Sequence, residues 1–189
     1  MKKIIAALLA LPLALGLFGC SGGSENNADA DVAYEDSLSI LTATWDALDD
    51  SVRFPAFGGD FENAVSDAPG VHSLEAVDSL TGTFGVPASL TTQVEDVATI
   101  MHAMNGNTLT AVALHLSEGV DVDAAIDDIK AELSGRQWIC GSPDKFVIAK
   151  VPGNYLVVVF GVHDVAGPFV DTMSAHVMGC EIVVDEPLA

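Results

Sequence analysis

Cys140 and Cys180 are the residues whose type could give the folded part of this chain a redox chemistry. Thiol–disulfide exchange of the C-x-x-C kind needs a second cysteine three positions after the first, and Pro143 occupies that position. Cys140 also follows a predicted helix rather than beginning one, so no helix N-terminus is in place to activate its thiol. The sequence therefore argues against a thiol redox enzyme.

Cys20 ends a segment that has the layout of a signal peptide. Two lysines precede an uncharged run, residues 4–18, that is rich in Leu and Ala. As a helix this run is too short for the ~30 Å hydrocarbon core, so we expect cleavage. The sequence LFGC that ends at Cys20 resembles the bacterial lipobox, with Phe18 where a small residue is usual. We expect residues 1–19 to be a lipoprotein signal peptide and Cys20 to carry the lipid, palmitate included. The alternative is cleavage elsewhere, which would leave Cys20 as a free thiol.

The charge of the chain limits its partners. Loss of residues 1–19 removes two lysines and no acid, which leaves 5 basic residues against 27 acidic ones and a net charge of −22. Such a charge disfavours nucleic acid and repels anionic lipid head groups. Residues 20–33 are polar and acidic, as is typical of a flexible tether. We therefore expect an extracytoplasmic protein that only its lipid holds at the outer face of the membrane.

Export permits a disulfide between Cys140 and Cys180. The bond would close a loop of about 40 residues, which contributes about 4 kcal/mol in the chain-entropy model. Both cysteines border apolar segments, however, where a free cysteine behaves as a small buried hydrophobe. Bridging requires Cα atoms within about 7 Å, and the two residues could lie at one end of the predicted sheet. The disulfide is an open hypothesis at this point.

Histidines and acids are present without the spacing of a metal or catalytic motif. Histidine pairs spaced for zinc are missing among the five in the chain, which are His72, His102, His115, His163 and His176. The run 121–123 lacks the further ligands and the glycine of a calcium loop, although weak divalent cation binding to so acidic a surface is expected. No G-x-S-x-G, S-x-x-K or phosphate-binding glycine motif occurs. We predict no metal, no cofactor and no catalytic residue.

Apolar residues at the start of the predicted domain recur with the spacing of an amphipathic helix. They stand at alternating intervals of four and three: Tyr34, Leu38, Leu41, Trp45, Leu48 and Val52. Asp36 falls on the polar face, where no structural role is expected. We predict that the helix packs on its own domain, and a partner helix is the alternative.

Residues 53–70 are predicted to form a loop, because prolines and glycines interrupt any periodicity. Its three phenylalanines, Phe54, Phe57 and Phe61, could pack beneath the loop or contact a ligand. Ser73 then has the character of an N-cap for a short helix that continues to Leu80.

Two hairpins are predicted farther along the chain. Asn105-Gly106 between apolar runs predicts strands at about 97–104 and 107–116, with a helix over 94–104 as the alternative. A second hairpin is predicted from strands at 146–151 and 155–162. Its apolar run from 156 to 160 indicates a central strand that is covered on both faces.

Two helices complete the pattern, one that Asp121 opens and one that starts by Gly167 or Pro168. The second half of the chain then has the order ββαββα, with a short strand at 181–184 as an addition. We therefore predict that residues 34–189 form a single α+β domain. It contains an antiparallel sheet of about four strands, packed helices and the N-terminal amphipathic helix.

Four stretches of this half resemble an uncharacterised family of small lipoproteins from anaerobic Gram-positive bacteria. They are MHAMN at 101–105, RQWIC at 136–140, PDKFVI at 143–148 and GNYLVV at 153–158. The resemblance covers roughly residues 85–178 and lies in the overall pattern. It implies a cell-surface lipoprotein with an α+β fold and unknown function, and it brings no functional residues.

These features favour a membrane-anchored, non-catalytic lipoprotein that acts as a binding or accessory module for an envelope protein or a small ligand. An envelope hydrolase whose carboxylates converge in space is one alternative. A small solute-binding lipoprotein of a transporter is another, although such proteins usually need two lobes around a cleft. A deep pocket with two desolvated carboxylates would favour the enzyme, and an apolar patch would favour the accessory role.

Overall fold

The structure is a computed structural model that describes residues 34–188. The predicted signal peptide, Cys20 and the tether lie outside the described residues. Four helices are present: α1 (Ser37–Ala47), α2 (Val77–Gly82), α3 (Val122–Gly135) and α4 (His163–His176). Eight strands accompany them: β1 (Ala56–Gly58), β2 (Val65–Ser66), β3 (Gly70–Val71), β4 (Val94–His102), β5 (Leu109–Leu116), β6 (Lys145–Val151), β7 (Tyr155–Gly161) and β8 (Glu181–Pro187). No helix within residues 34–188 is long and apolar enough to cross a membrane.

One antiparallel sheet contains all eight strands, in the order β2-β1-β4-β5-β7-β6-β8, with β3 also paired to β4. Helices α1 and α4 pack on one face, and α2 and α3 pack on the other. The α+β class is therefore confirmed, but the expectation of about four strands is wrong. The ββαββα order is not matched either, because α4 is followed by β8, which pairs with β6 and extends the sheet.

Strand β7 lies between β5 and β6 and is buried along its whole length. Tyr155, Val157 and Val159 point to the α1–α4 face, and the residues between them point to the α2–α3 face. Because helices cover both faces, neither set of side chains reaches water, which explains the unbroken apolar run. The predicted central strand is confirmed.

Helices α3 and α1 each begin at an aspartate that caps the helix. Asp121 accepts hydrogen bonds from the backbone N–H groups of Asp123 and Ala124, both at 3.1 Å, so α3 starts where the sequence indicates. Asp36 forms a capping box with Ser39 at the start of α1. The expectation that Asp36 has no structural role on the polar face is therefore wrong. The prediction that α1 packs on its own domain is confirmed, since it contacts α4, β4 and β5.

The connection between β4 and β5 is longer than the predicted Asn-Gly turn. It spans residues 103–108, and the side chain of Asn105 accepts a hydrogen bond from the backbone N–H of Asn107 at 3.0 Å. The backbone N–H of Thr108 bonds to the Asn105 carbonyl at 2.9 Å. These bonds form a local turn in place of the predicted two-residue turn. Residues 94–102 form strand β4, so the alternative of a helix over 94–104 is wrong.

Three further boundaries differ from prediction. Helix α4 begins at His163 because Asp144, which is distant in sequence, accepts the backbone N–H of His163 at 2.8 Å, so Pro168 lies inside the helix. Helix α2 begins at Val77 rather than directly after Ser73. Residues 53–70 contain β1, β2 and the first residue of β3 rather than loop alone, because β1 and β3 pair with β4 and β2 pairs with β1.

Candidate functional site

A groove runs along α2 on the α2–α3 face of the sheet. Three adjacent depressions form it, and neighbouring depressions share the wall residues Phe61, Thr83 or Met101. We name them the acidic depression, the apolar depression and the arginine–tryptophan depression, after the residues described below. Together they are the α2 groove.

The acidic depression has a volume of about 750 Å³ and is lined by the carboxylates of Asp60, Glu62, Glu75 and Asp78. Among these four only Asp60 is buried, with 4% of its surface exposed. It accepts backbone N–H groups of Glu62 at 2.9 Å, Asn63 at 2.8 Å and Ser73 at 3.0 Å. Burial raises the pKa of Asp60, but these hydrogen bonds outweigh it and lower the pKa below its usual value. Asp60 is therefore a fixed anion that links the connection between β1 and β2 to Ser73, in the segment that precedes α2.

His72 and Ser79 form a hydrogen-bonded pair at the edge of the acidic depression. The Nδ1 atom of His72 lies 2.8 Å from the carbonyl oxygen of Ser73, and Nε2 lies 3.0 Å from the hydroxyl oxygen of Ser79. A carbonyl can only accept, so Nδ1 carries the proton and Nε2 accepts the hydroxyl hydrogen. Burial lowers the pKa of His72, and its bond to Ser73 and the charge of Asp60 offset this only in part. The ring is thus a neutral base that faces a serine hydroxyl.

The apolar depression, of about 350 Å³, is lined mainly by Phe57, Phe61, Phe84 and Met101. Phe57 is 43% exposed and Phe61 is 74% exposed. Phe54, in contrast, is buried between Trp45 and His102. Of the three loop phenylalanines, Phe54 packs beneath the loop, whereas Phe57 and Phe61 form a wall of the α2 groove.

The arginine–tryptophan depression is a cavity of about 270 Å³ whose walls include Arg136, Trp138 and Phe160. Its outer wall, residues 136–141, is held by the β4–β5 connection. The side-chain amide of Asn107 donates to the carbonyls of residues 139 and 141, both at 2.7 Å. The ring of Trp138 lies 5.2 Å from that of Phe160. The connection that replaces the predicted tight turn thus positions the tryptophan.

Arg136 has an unusual environment for a cation. The guanidinium carbon lies 5.2 Å from the centroid of the Trp138 ring. Its Nη1 atom is buried and has no hydrogen-bond acceptor among residues 34–188. Burial lowers the pKa of Arg136, and the charge of Glu132 opposes this effect. The side chain lines the cavity as a cation that forms no ion pair within residues 34–188.

The two cysteines are free thiols and lie at opposite ends of β6. Cys140 belongs to the segment that Asn107 holds near the start of β6, and it is exposed. Cys180 precedes Glu181, which pairs with Lys150 near the other end of that strand. Seven residues of strand span about 20 Å, against the limit of about 7 Å for a disulfide. This separation argues against the Cys140–Cys180 bond and corrects the expectation that both lie at one end of the sheet.

The other histidines are spread over the domain. His115 pairs with Asp96 at 2.9 Å, His102 stacks on Phe54, and His163 and His176 belong to α4. Within residues 34–188, no three His, Cys, Asp or Glu side chains are grouped to hold a metal ion.

Sequence reasoning missed the residues that form the α2 groove. The pair His72 and Ser79 matches no motif, and Asp60 is one acid among many. Arg136 offered the one usable signal, as an arginine two residues before a tryptophan in a chain with few basic residues. A comparison with protein-family models, curated proteins and solved structures finds no match to the chain.

Proposed function

We propose that this protein is a lipid-anchored, extracytoplasmic binding module that uses the α2 groove to hold its ligand. The observation that carries the proposal is the exposure of Phe57 and Phe61 beside a cavity, since large apolar side chains that remain accessible on one wall are typical of a contact surface. The signal-peptide layout and the lipobox-like sequence before Cys20 support the anchor. The proposed location is the outer face of the cell membrane, and the resemblance to small surface lipoproteins agrees with it.

The electrostatics of the groove favour binding over carboxylate catalysis. A glycosidase-like or other acid–base site requires one carboxyl group whose pKa is raised, so that it can donate a proton. Asp60 has a lowered pKa, and Glu62, Glu75 and Asp78 are exposed. These acids are therefore suited to attract a cationic group of a ligand, or a loosely held divalent cation, to the acidic depression.

The anchor is tested by Cys20→Ser, with Cys140→Ser as the matched control because Cys140 is an exposed cysteine that stands outside the lipobox-like sequence. We expect the first variant to leave the membrane fraction or to remain unprocessed, and the second to behave like the wild type. Normal processing and membrane retention of Cys20→Ser would contradict the anchor.

The binding surface is tested with N-phenyl-1-naphthylamine, a neutral apolar probe whose fluorescence rises in an apolar site. The protein is the mature chain with Cys20→Ser, which lacks the lipid. We expect Phe61→Ala to weaken probe binding at least fivefold, and Met178→Ala to leave it unchanged, since Met178 is exposed but lies outside the groove. Equal binding by the two variants would remove the groove from the proposal.

A second candidate function is an ester hydrolase, because Ser79 and His72 have the geometry of a nucleophile and its base. In such a reaction the Ser79 oxygen would bond to the acyl carbon while His72 Nε2 takes the hydroxyl proton. That proton would pass to the departing alcohol, and water would then release the acid from the serine.

A fluorophosphonate probe tests this candidate directly, because it reacts only with an activated serine. We expect labelling at Ser79 that His72→Gln and Ser79→Ala abolish and that Ser89→Ala, a change at an exposed serine outside the pair, does not. A protein that stays unlabelled would show that the pair only joins α2 to the preceding segment.

A further inference from the structure

Four of the five basic side chains in residues 34–188 form ion pairs with an acid. Arg53 lies 3.4 Å from Asp50, and each lysine lies 2.7 Å from its partner carboxylate. The lysine pairs are Lys130 with Glu186, Lys145 with Asp185, and Lys150 with Asp123. In a chain with 27 acidic residues such pairing is easily achieved, so a cation that lacks it calls for a physical explanation.

Arg136 is the exception among these five. No carboxylate of the described residues lies within ion-pair distance of it, and its Nη1 atom is closed off from water beside Gly85 and Leu133 without an acceptor. Partial burial of a guanidinium without compensation costs free energy. We infer that the arginine–tryptophan depression, which Arg136 lines, binds the carboxylate of a small aromatic acid through the guanidinium N–H groups other than the enclosed Nη1. This inference rests on the proposed binding function and assigns a ligand class to one part of the groove.

The walls of the depression match both parts of such a ligand. A carboxylate accepts two parallel N–H bonds from a guanidinium, which is the strongest geometry for this pair. Trp138 stacks on the guanidinium and Phe160 packs against Trp138, so an aromatic ring can lie on an apolar surface directly beside the charge. The cavity of about 270 Å³ has room for a single substituted ring.

The charge of the protein restricts the ligand to few negative charges. The predicted mature chain carries a net charge of −22, and four of its carboxylates line the neighbouring acidic depression. A phosphate ester or polyanion would meet this whole field, whereas a monocarboxylate brings one charge and offsets it at Arg136. The acidic and arginine–tryptophan depressions share Thr83 as a wall residue, so together they would suit a molecule with both a carboxylate and a cationic group.

Benzoate and benzamide provide the test, because they share size and ring and differ in charge. Each is added to the ¹⁵N-labelled mature chain with Cys20→Ser, and the indole N–H signals of Trp45 and Trp138 are followed by NMR. We expect benzoate to shift the Trp138 signal in a saturable way and to leave the buried Trp45 signal in place. Benzamide should bind at least tenfold more weakly.

Two variants assign the effect to the guanidinium. We expect Arg136→Gln to weaken benzoate binding at least tenfold and Arg136→Lys, which keeps the charge but loses the planar fork, to weaken it less. Arg53→Gln is the matched control and should leave binding unchanged. Benzoate that shifts neither indole signal, or that binds no better than benzamide, would overturn the inference. If benzoate fails but N-phenyl-1-naphthylamine still binds at the Phe61 wall, the proposed binding function stands without this ligand class. If neither molecule binds, the proposed function and this inference are both wrong.

Discussion

The domain contains two arginines that stack on tryptophans, and they differ in what surrounds the charge. Arg53 lies 5.0 Å from the Trp45 ring and donates to the carbonyls of Leu48 at 3.2 Å and Trp45 at 2.9 Å. Arg136 lies 5.2 Å from the Trp138 ring, but its Nη1 atom has no acceptor among residues 34–188. The stacking is nearly equal. The difference in hydrogen bonding separates a side chain that closes a helix end from one whose Nη1 atom has no partner within the described residues.

The largest expected difference between the two regions concerns the tryptophans. Trp45 is buried against Leu41 and Phe54, so Trp45→Ala should lower the free energy of unfolding by about 3–5 kcal/mol. Trp138 is half-buried at the rim of a cavity, and Trp138→Ala should cost about 1 kcal/mol or less. Urea unfolding of both variants measures the difference. Equal losses would show that Trp138 belongs to the core, and the comparison would fail.

A smaller effect is expected when each arginine is replaced by glutamine. Arg53→Gln leaves backbone carbonyls at the end of α1 without their donor and should cost about 2 kcal/mol. Arg136→Gln removes an unpaired, partly buried charge and should leave the unfolding free energy unchanged or raise it. Thermal midpoints at one protein concentration measure both. Loss of stability in Arg136→Gln as large as in Arg53→Gln would make Arg136 a structural residue.

The smallest expected effect is a loss of folding stability at low pH on the side of the domain that carries the α2 groove. Because burial lowers the pKa of His72, the unfolded chain takes up its proton first as the pH falls. The stabilisation is full above the ordinary histidine value of about 6.5 and is lost as the pH drops toward the lowered value, by at most about 1.4 kcal/mol per pH unit.

Hydrogen exchange can place this effect within the domain. The backbone N–H of Ser79 should exchange faster at pH 5.5 than at pH 7.5 after correction for the intrinsic rate, and the N–H of Leu48, beside Arg53, should change less. The His72→Gln variant should lack the difference. An unchanged profile in the wild type would mean that His72 does not couple protonation to the α2 segment.

Sequence reasoning succeeded where one local signal and tertiary packing agree. The apolar run of β7 and the aspartate before α3 each specify an element that the fold uses directly. Sequence reasoning failed where a residue distant in the chain determines the start of a helix or the position of a segment. Asp144 starts α4, and Asn107 holds the segment of Trp138 through carbonyls more than thirty positions away. Neither contact has a signature within a window of neighbouring residues.

The groove was missed for the same reason. Its residues come from segments that the sequence describes only as loops, and the depth of a cavity is a property of packing rather than of composition. The position of Arg136 beyond the end of α3 could be predicted, but its lack of an ion-pair partner within the described residues could not, since most helices of this chain carry acids.

The edges of the sheet decide whether copies of this protein can associate through their strands. Strand β2 has only two residues, and β8, at the opposite edge, carries Glu181, Asp185, Glu186 and a proline. Proteins tethered to one membrane meet each other repeatedly at high lateral density, and an open strand edge would let neighbouring copies join through their backbones. A two-residue strand offers too little length for such pairing, and charged side chains together with a proline on β8 disfavour it. Copies of this protein should therefore remain separate even at the high lateral density that the proposed anchor would impose.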